Sequence, residues 1–84
     1  MELDELAAQI KDRDDLVDFI HALRLDLQQN EGRWENATLE TFLEAMAAVV
    51  QDLDGRYRNR NEPMPEKLSW RDFAALLLAS RIYE

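Results

Sequence analysis

The chain contains no cysteine. That removes disulfides, thiolate chemistry and the cysteine ligand sets of structural zinc sites. Two glycines and two prolines in 84 residues are too few for a loop-dominated or low-complexity chain. The single histidine, His21, has no serine, cysteine or carboxylate in a recognisable catalytic arrangement around it, and reads as a partly exposed residue at the flank of an apolar face. No glycine-rich phosphate loop is present, and the apolar runs fall far short of the ~20 residues that span a bilayer. The acidic start, MELDELAAQI, is unlike a signal sequence, so a cytoplasmic location is expected.

Positive charge is scarce as well. The formal charge is −8. Residues 1–31 hold nine acids against three bases, residues 32–54 five against one, and residues 55–84 four against six. An acidic field over the first two thirds is repelled by phosphate, which argues against nucleic acid and anionic membranes as partners. The same field suits a basic protein partner, although acidity also serves solubility alone.

Against these absences stands 46% apolar residues, the composition of a folded helical protein. The length allows one domain over residues 1–84, with a modest core and a thin stability margin. Dimerisation is one way to bury more apolar surface.

The densest apolar pattern lies between Trp34 and Tyr57. Leu39, Phe42, Leu43, Met46, Val49, Val50, Leu53 and Tyr57 recur at helical spacings, and Ala45, Ala47 and Ala48 fill the gaps. A helix apolar nearly all round is expected to be covered on several sides, which makes this the hub. It should start at Thr38 or Asn36 and end near Asp54-Gly55, with Gly55 as a left-handed terminator and a frayed extension to Tyr57.

Around it, Leu3, Leu6, Ala7 and Ile10 predict a short first helix. Asp12 reads as the N-cap of a second over Arg13–Gln29, with Asp15 in the capping-box position and Asp14 at the positive helix end. Leu16, Ile20, Leu23 and Leu27 should line its buried face, and Asp18, Arg24 and Asp26 should face water. Asn30-Glu31-Gly32 stops it. Arg58 to Leu68 is the main loop. Ser69 and Asp72 then box the start of a last helix that buries Trp70, Phe73, Ala74, Leu77, Leu78 and Ile82. The fold class is all-α: a small bundle of three main helices plus one short N-terminal helix.

The motifs Trp34-Glu35-Asn36, Leu39 to Ala48, Asp52 to Asn59, Pro65 to Trp70 and Arg81 to Glu84 give the chain a WEN…LETFLEAMAA…DxDGxYxN…SW…RIYE order. In that order it resembles a family of small bacterial proteins catalogued only as a domain of unknown function. The resemblance implies a stand-alone domain and carries over no functional residue. The family pattern has an aromatic where Val49 stands, which implies an altered pocket or contact surface beside the hub helix.

The remaining constellations are weak as chemistry. With Asp52 as position 1, Gly55 falls at position 4 and Pro63 at position 12, so the EF-hand pattern fails and no metal site is expected. Two acids at a helix C-terminus are electrostatically unfavourable, and Arg56, Arg58 and Arg60 are placed to neutralise them. Asn36-Ala37-Thr38 is a glycosylation acceptor in form, which helix capping explains. The many carboxylates lack a cleft to separate their pKa values, so neither an enzyme nor a cofactor is expected. Arg56 to Arg60 is too weak a basic footprint for nucleic acid.

The interaction candidates are Trp34, Glu35, Tyr57, Arg58, Trp70 and Tyr83, residue types enriched at binding hot spots or neighbouring them. Plain core packing is the alternative for the tryptophans. Tyr83, an aromatic at a chain end, should dock on its own core or on another subunit. The sequence thus points to a non-catalytic acidic protein-binding module, of inhibitor or immunity type, masking a basic site. A self-assembling homodimer is the alternative.

Overall fold

The computed structural model describes residues 2–83. The described residues form five helices: α1 (Leu3–Ala8), α2 (Arg13–Gln29), α3 (Leu39–Gln51), α4 (Leu53–Asn59) and α5 (Trp70–Ser80), with a 3₁₀ turn at Glu31–Arg33. There is no strand among them, and the fold is a small all-α bundle. Glu84, the last residue of the RIYE motif, lies outside the described residues.

Local chemistry sets most boundaries. Asp12 caps α2 by accepting the Asp15 N–H at 2.9 Å. The reciprocal half of that box is displaced by one residue, because the Asp15 carboxylate accepts from the Lys11 N–H at 3.0 Å. Thr38, not Asn36, caps α3 through the Thr41 N–H at 3.2 Å. Ser69 and Asp72 form a complete capping box at α5, each accepting the other's backbone N–H at 3.0 Å. These contacts satisfy helix-end donors that would otherwise lack partners.

The hub segment differs from its expected form. α3 stops at Gln51, Asp52 turns the chain, and α4 runs on to Asn59 with Gly55 inside it. Gly55 has no positive φ, so it is not a left-handed terminator. Asp54 therefore sits in the first turn of α4, where the positive helix end stabilises a carboxylate. The expected electrostatic penalty at that position disappears. The left-handed residue is Asn61, at φ 58. Its N–H donates to the Arg58 carbonyl at 3.0 Å and that of Glu62 to the Tyr57 carbonyl at 2.9 Å. This is a Schellman closure with asparagine in the place glycine usually takes.

The centre of the fold also lies elsewhere. α5 packs against α1, α2 and α3, whereas the backbone of α3 comes close to α5 and α4 and, among the described residues, not to α1 or α2, with Phe42 reaching the core cluster by its side chain. Helix α5 is the hub. Ala7, Ile10, Leu16, Phe19, Leu23, Trp34 and Ala74 form one core cluster. Ala45, Val49, Tyr57, Leu76 and Ser80 are buried outside it.

Being packed on two sides, α5 buries Leu76 and Ser80 as well as Ala74, while Trp70, Phe73 and Ile82 are exposed. A single-stripe pattern could not show two opposed faces. On α2 the buried line is Leu16, Phe19 and Leu23, and Ile20 is exposed. The outline is flat, with extents of 36 × 27 × 17 Å.

Candidate functional site

Two regions carry the functional candidates: a polar knot that ties α2 and the segment before α3 to the end of α5, and an uncovered helix face.

The knot centres on Asp26, which the sequence places toward water. The structure half-buries it. Its Oδ2 accepts from Trp34 Nε1 at 2.7 Å and lies 3.7 Å from Arg81 Nη1, while Oδ1 accepts from Asn30 Nδ2 at 3.0 Å. The Arg81 guanidinium lies over the Trp34 ring, 5.9 Å from its centroid. On that ring's other contact, Phe42 stacks at 6.0 Å between centroids. Asn36 then fastens the end of α5: its backbone N–H donates to the Arg81 carbonyl at 2.9 Å, and its Nδ2 to the Ser80 and Tyr83 carbonyls at 3.0 and 2.8 Å. Helix C-terminal carbonyls need such partners, so Asn36 serves as a latch.

Two tyrosines make further long-range polar contacts. Tyr57 is buried, and its hydroxyl donates to Asp72 at 3.0 Å. Burial, together with the Asp72 carboxylate, pushes the Tyr57 phenol above its ordinary pKa. Burial alone would raise Asp72 as well. The Ser69 N–H and hydroxyl and the Tyr57 hydroxyl outweigh that and hold it below the usual carboxylate range. The Tyr83 hydroxyl donates to Asp52, which raises the phenol's pKa. Tyr83 thus docks on its own chain. The expected arginine network is realised only in part. Arg58 pairs with Asp54 at 3.3 Å, Arg60 pairs with Glu62 at 3.9 Å and lies 4.7 Å over the Tyr57 ring, and Asp52 takes Tyr83.

The six interaction candidates therefore do not form one patch. Trp34 and Tyr57 belong to the core, Tyr83 is half-buried, and Glu35 and Arg58 are exposed. Trp70 is 47% exposed. It lines an open groove of about 530 Å³ with Ile10, Lys11, Leu68 and Arg71, adjoining one of about 560 Å³ that Ile10, Lys11 and Arg71 also line. Ser69 also lines the first groove, where it and Asp72 form the capping box of α5.

The second region was concealed by the apolar density of the sequence. Leu39 is 75% exposed, Leu43 53% and Val50 48%, and Met46 is half-buried beside them. At 100° per residue these positions fall on one side of α3, next to the side that buries Ala45 and Val49. The apolar arc is wider than the neighbouring chain covers. Glu40 and Glu44 edge it, and both are exposed. Val49, the position at which the resemblance implied an altered pocket or contact surface, is 1% exposed. That position falls in the core and not at a pocket or surface.

Residues 12–84 match the sequence profile of DUF7660, a family of unknown function. The chain belongs to the DUF7660 family. The match takes in the knot, the latch and the α3 face, and leaves α1 outside it although Ala7 belongs to the core cluster. No curated protein and no solved structure matches the chain. Among the described residues, no helix is long and apolar enough to cross a membrane.

Proposed function

We propose that this DUF7660 member is a non-catalytic protein-binding module whose contact surface is the uncovered apolar face of α3. The observation that carries this reading is the exposure of Leu39, Leu43 and Val50 on one side of a 13-residue helix. Contiguous apolar surface of that kind on a folded domain marks an interaction site. The charge adds a direction. Asp4, Glu5, Asp14 and Asp18 are exposed on α1 and α2, and their field draws in a protein with a basic surface at a rate that falls with salt. Masking of a basic site, as an inhibitor or immunity-type protein does, is the form this takes toward a foreign target. The cytoplasm is the compartment proposed.

The test is affinity capture from host lysate with the wild type and with Leu43→Asp, washed at low and then at physiological salt. A stoichiometric protein retained by the wild type and lost by the variant supports the α3 face. Equal retention by both removes that face from the reading, and indifference to salt removes the charge masking.

A further inference from the structure

Resting on the assignment of α3 as contact face, we infer that a second copy of this chain covers it, packed antiparallel along α3 about a two-fold axis between Glu44 and Ala45. Area is the first ground. The chain exposes 6260 Å², whereas a compact monomer of this size exposes roughly 5,200 Å². The excess, about 1,000 Å², matches the ~800 Å² that each partner of a standard interface withdraws from water. The chain is a layer only 17 Å thick, and Leu39, Leu43 and Val50 of α3 are among the large apolar side chains it leaves exposed.

Spacing is the second ground. Leu39, Leu43, Met46 and Val50 are separated by four, three and four residues, the 3.5-residue interval of a helix–helix seam. The series reads the same from either end. An antiparallel copy therefore sets Leu39 level with Val50 and Leu43 level with Met46, each twice, as an isologous contact requires. The exposed Ala47 beside the line leaves room for close approach.

Charge is the third. Helix α3 contains Glu40 and Glu44 and no base. Antiparallel packing brings Glu40 near the level of Gln51 of the second copy, an amide that can donate to it, and opposes the two helix dipoles. The acids of α1 and α2 are carried on helices that pack on α5 and not on α3. What is left is repulsion between the two Glu44 side chains, which this register brings level beside the axis, and between two chains of charge −8 each, which salt screens. Self-association therefore tightens as salt rises, the reverse of binding to a basic target.

Sedimentation equilibrium of the full chain from micromolar to submillimolar concentration, at low and high salt, tests this. A dimer that tightens with salt and weakens about tenfold or more in Leu43→Asp is expected, with circular dichroism showing that the variant is folded. A mixture of Leu39→Cys and Val50→Cys, in a chain with no other thiol, should cross-link as the mixed pair and not as Leu39→Cys with itself. A wild type that stays monomeric throughout overturns the second copy, as does a dimer indifferent to Leu43→Asp. Cross-linking of Leu39→Cys to itself overturns the antiparallel register. The lysate capture separates the two levels: a foreign protein lost on Leu43→Asp, with a monomeric wild type, leaves the contact face standing and removes only its occupant.

Discussion

The Trp34 indole donates to Asp26 at 2.7 Å while the Arg81 guanidinium lies over the ring and 3.7 Å from the same carboxylate oxygen. One carboxylate thus joins α2, the segment leading to α3 and the end of α5. Replacing Asp26 with Ala leaves the indole N–H of a buried tryptophan without its acceptor and removes the partner of Arg81. The expected loss is about 1–3 kcal/mol, read as a lower urea midpoint with an unchanged slope. Trp34→Phe retains the apolar ring and should cost less than Asp26→Ala.

Much of the fold was readable locally, and the knot was not. Asp12, Thr38 and Ser69 announce helix starts through contacts three residues long, so α2, α3 and α5 begin where the sequence places them. Asn36 and Ser80 are 44 residues apart, and no spacing rule pairs them. Asn36 read as a possible cap because capping is what local sequence can show. The turn at Asp52 was hidden for a related reason: Val49, Val50 and Leu53 keep the helical period across it, so the pattern survives a break in the helix. Apolar density likewise pointed to α3 as the hub. Density alone does not separate a helix covered by its own chain from one left open, and Leu39 and Leu43 belong to the second kind.

The Tyr57–Asp72 contact should shape the pH dependence of stability. Asp72 has a depressed pKa in the fold, so its contribution is present above the unfolded value and is lost as pH falls through the folded one. Tyr57 has a raised pKa, so its contribution is present below the unfolded value, about 10, and is lost as pH rises through the folded one. Stability from this pair is therefore full in between and declines on both sides. Tyr57→Phe should flatten the alkaline decline and reduce the acid one, measured as urea midpoints across the pH range.

Val49 tests how closely its buried position on α3 is packed. At 1% exposure it faces buried neighbours, and a larger side chain there must displace them. Val49→Phe should destabilise the protein by about 1–3 kcal/mol. A stabilised variant would show instead that the position retains room for an aromatic ring.

Gly55 distinguishes the two descriptions of the segment after α3. Were it a left-handed terminator, alanine would be strained there and the protein would lose stability. In the structure it lies inside α4 without positive φ, and a Cβ built on it meets nothing within 4 Å. Alanine then gains on two counts, since it has the higher helix propensity and narrows the unfolded ensemble. Gly55→Ala should stabilise the protein by about 0.4–1 kcal/mol, seen as a higher melting temperature. Asn61, which does occupy the left-handed region at φ 58, should respond in the opposite sense. Asn61→Ala places a Cβ-bearing side chain without asparagine's local hydrogen bonding in that conformation and should lower stability by about 1 kcal/mol. The pair of variants read together locates the true helix end at Asn59 and not at Asp54.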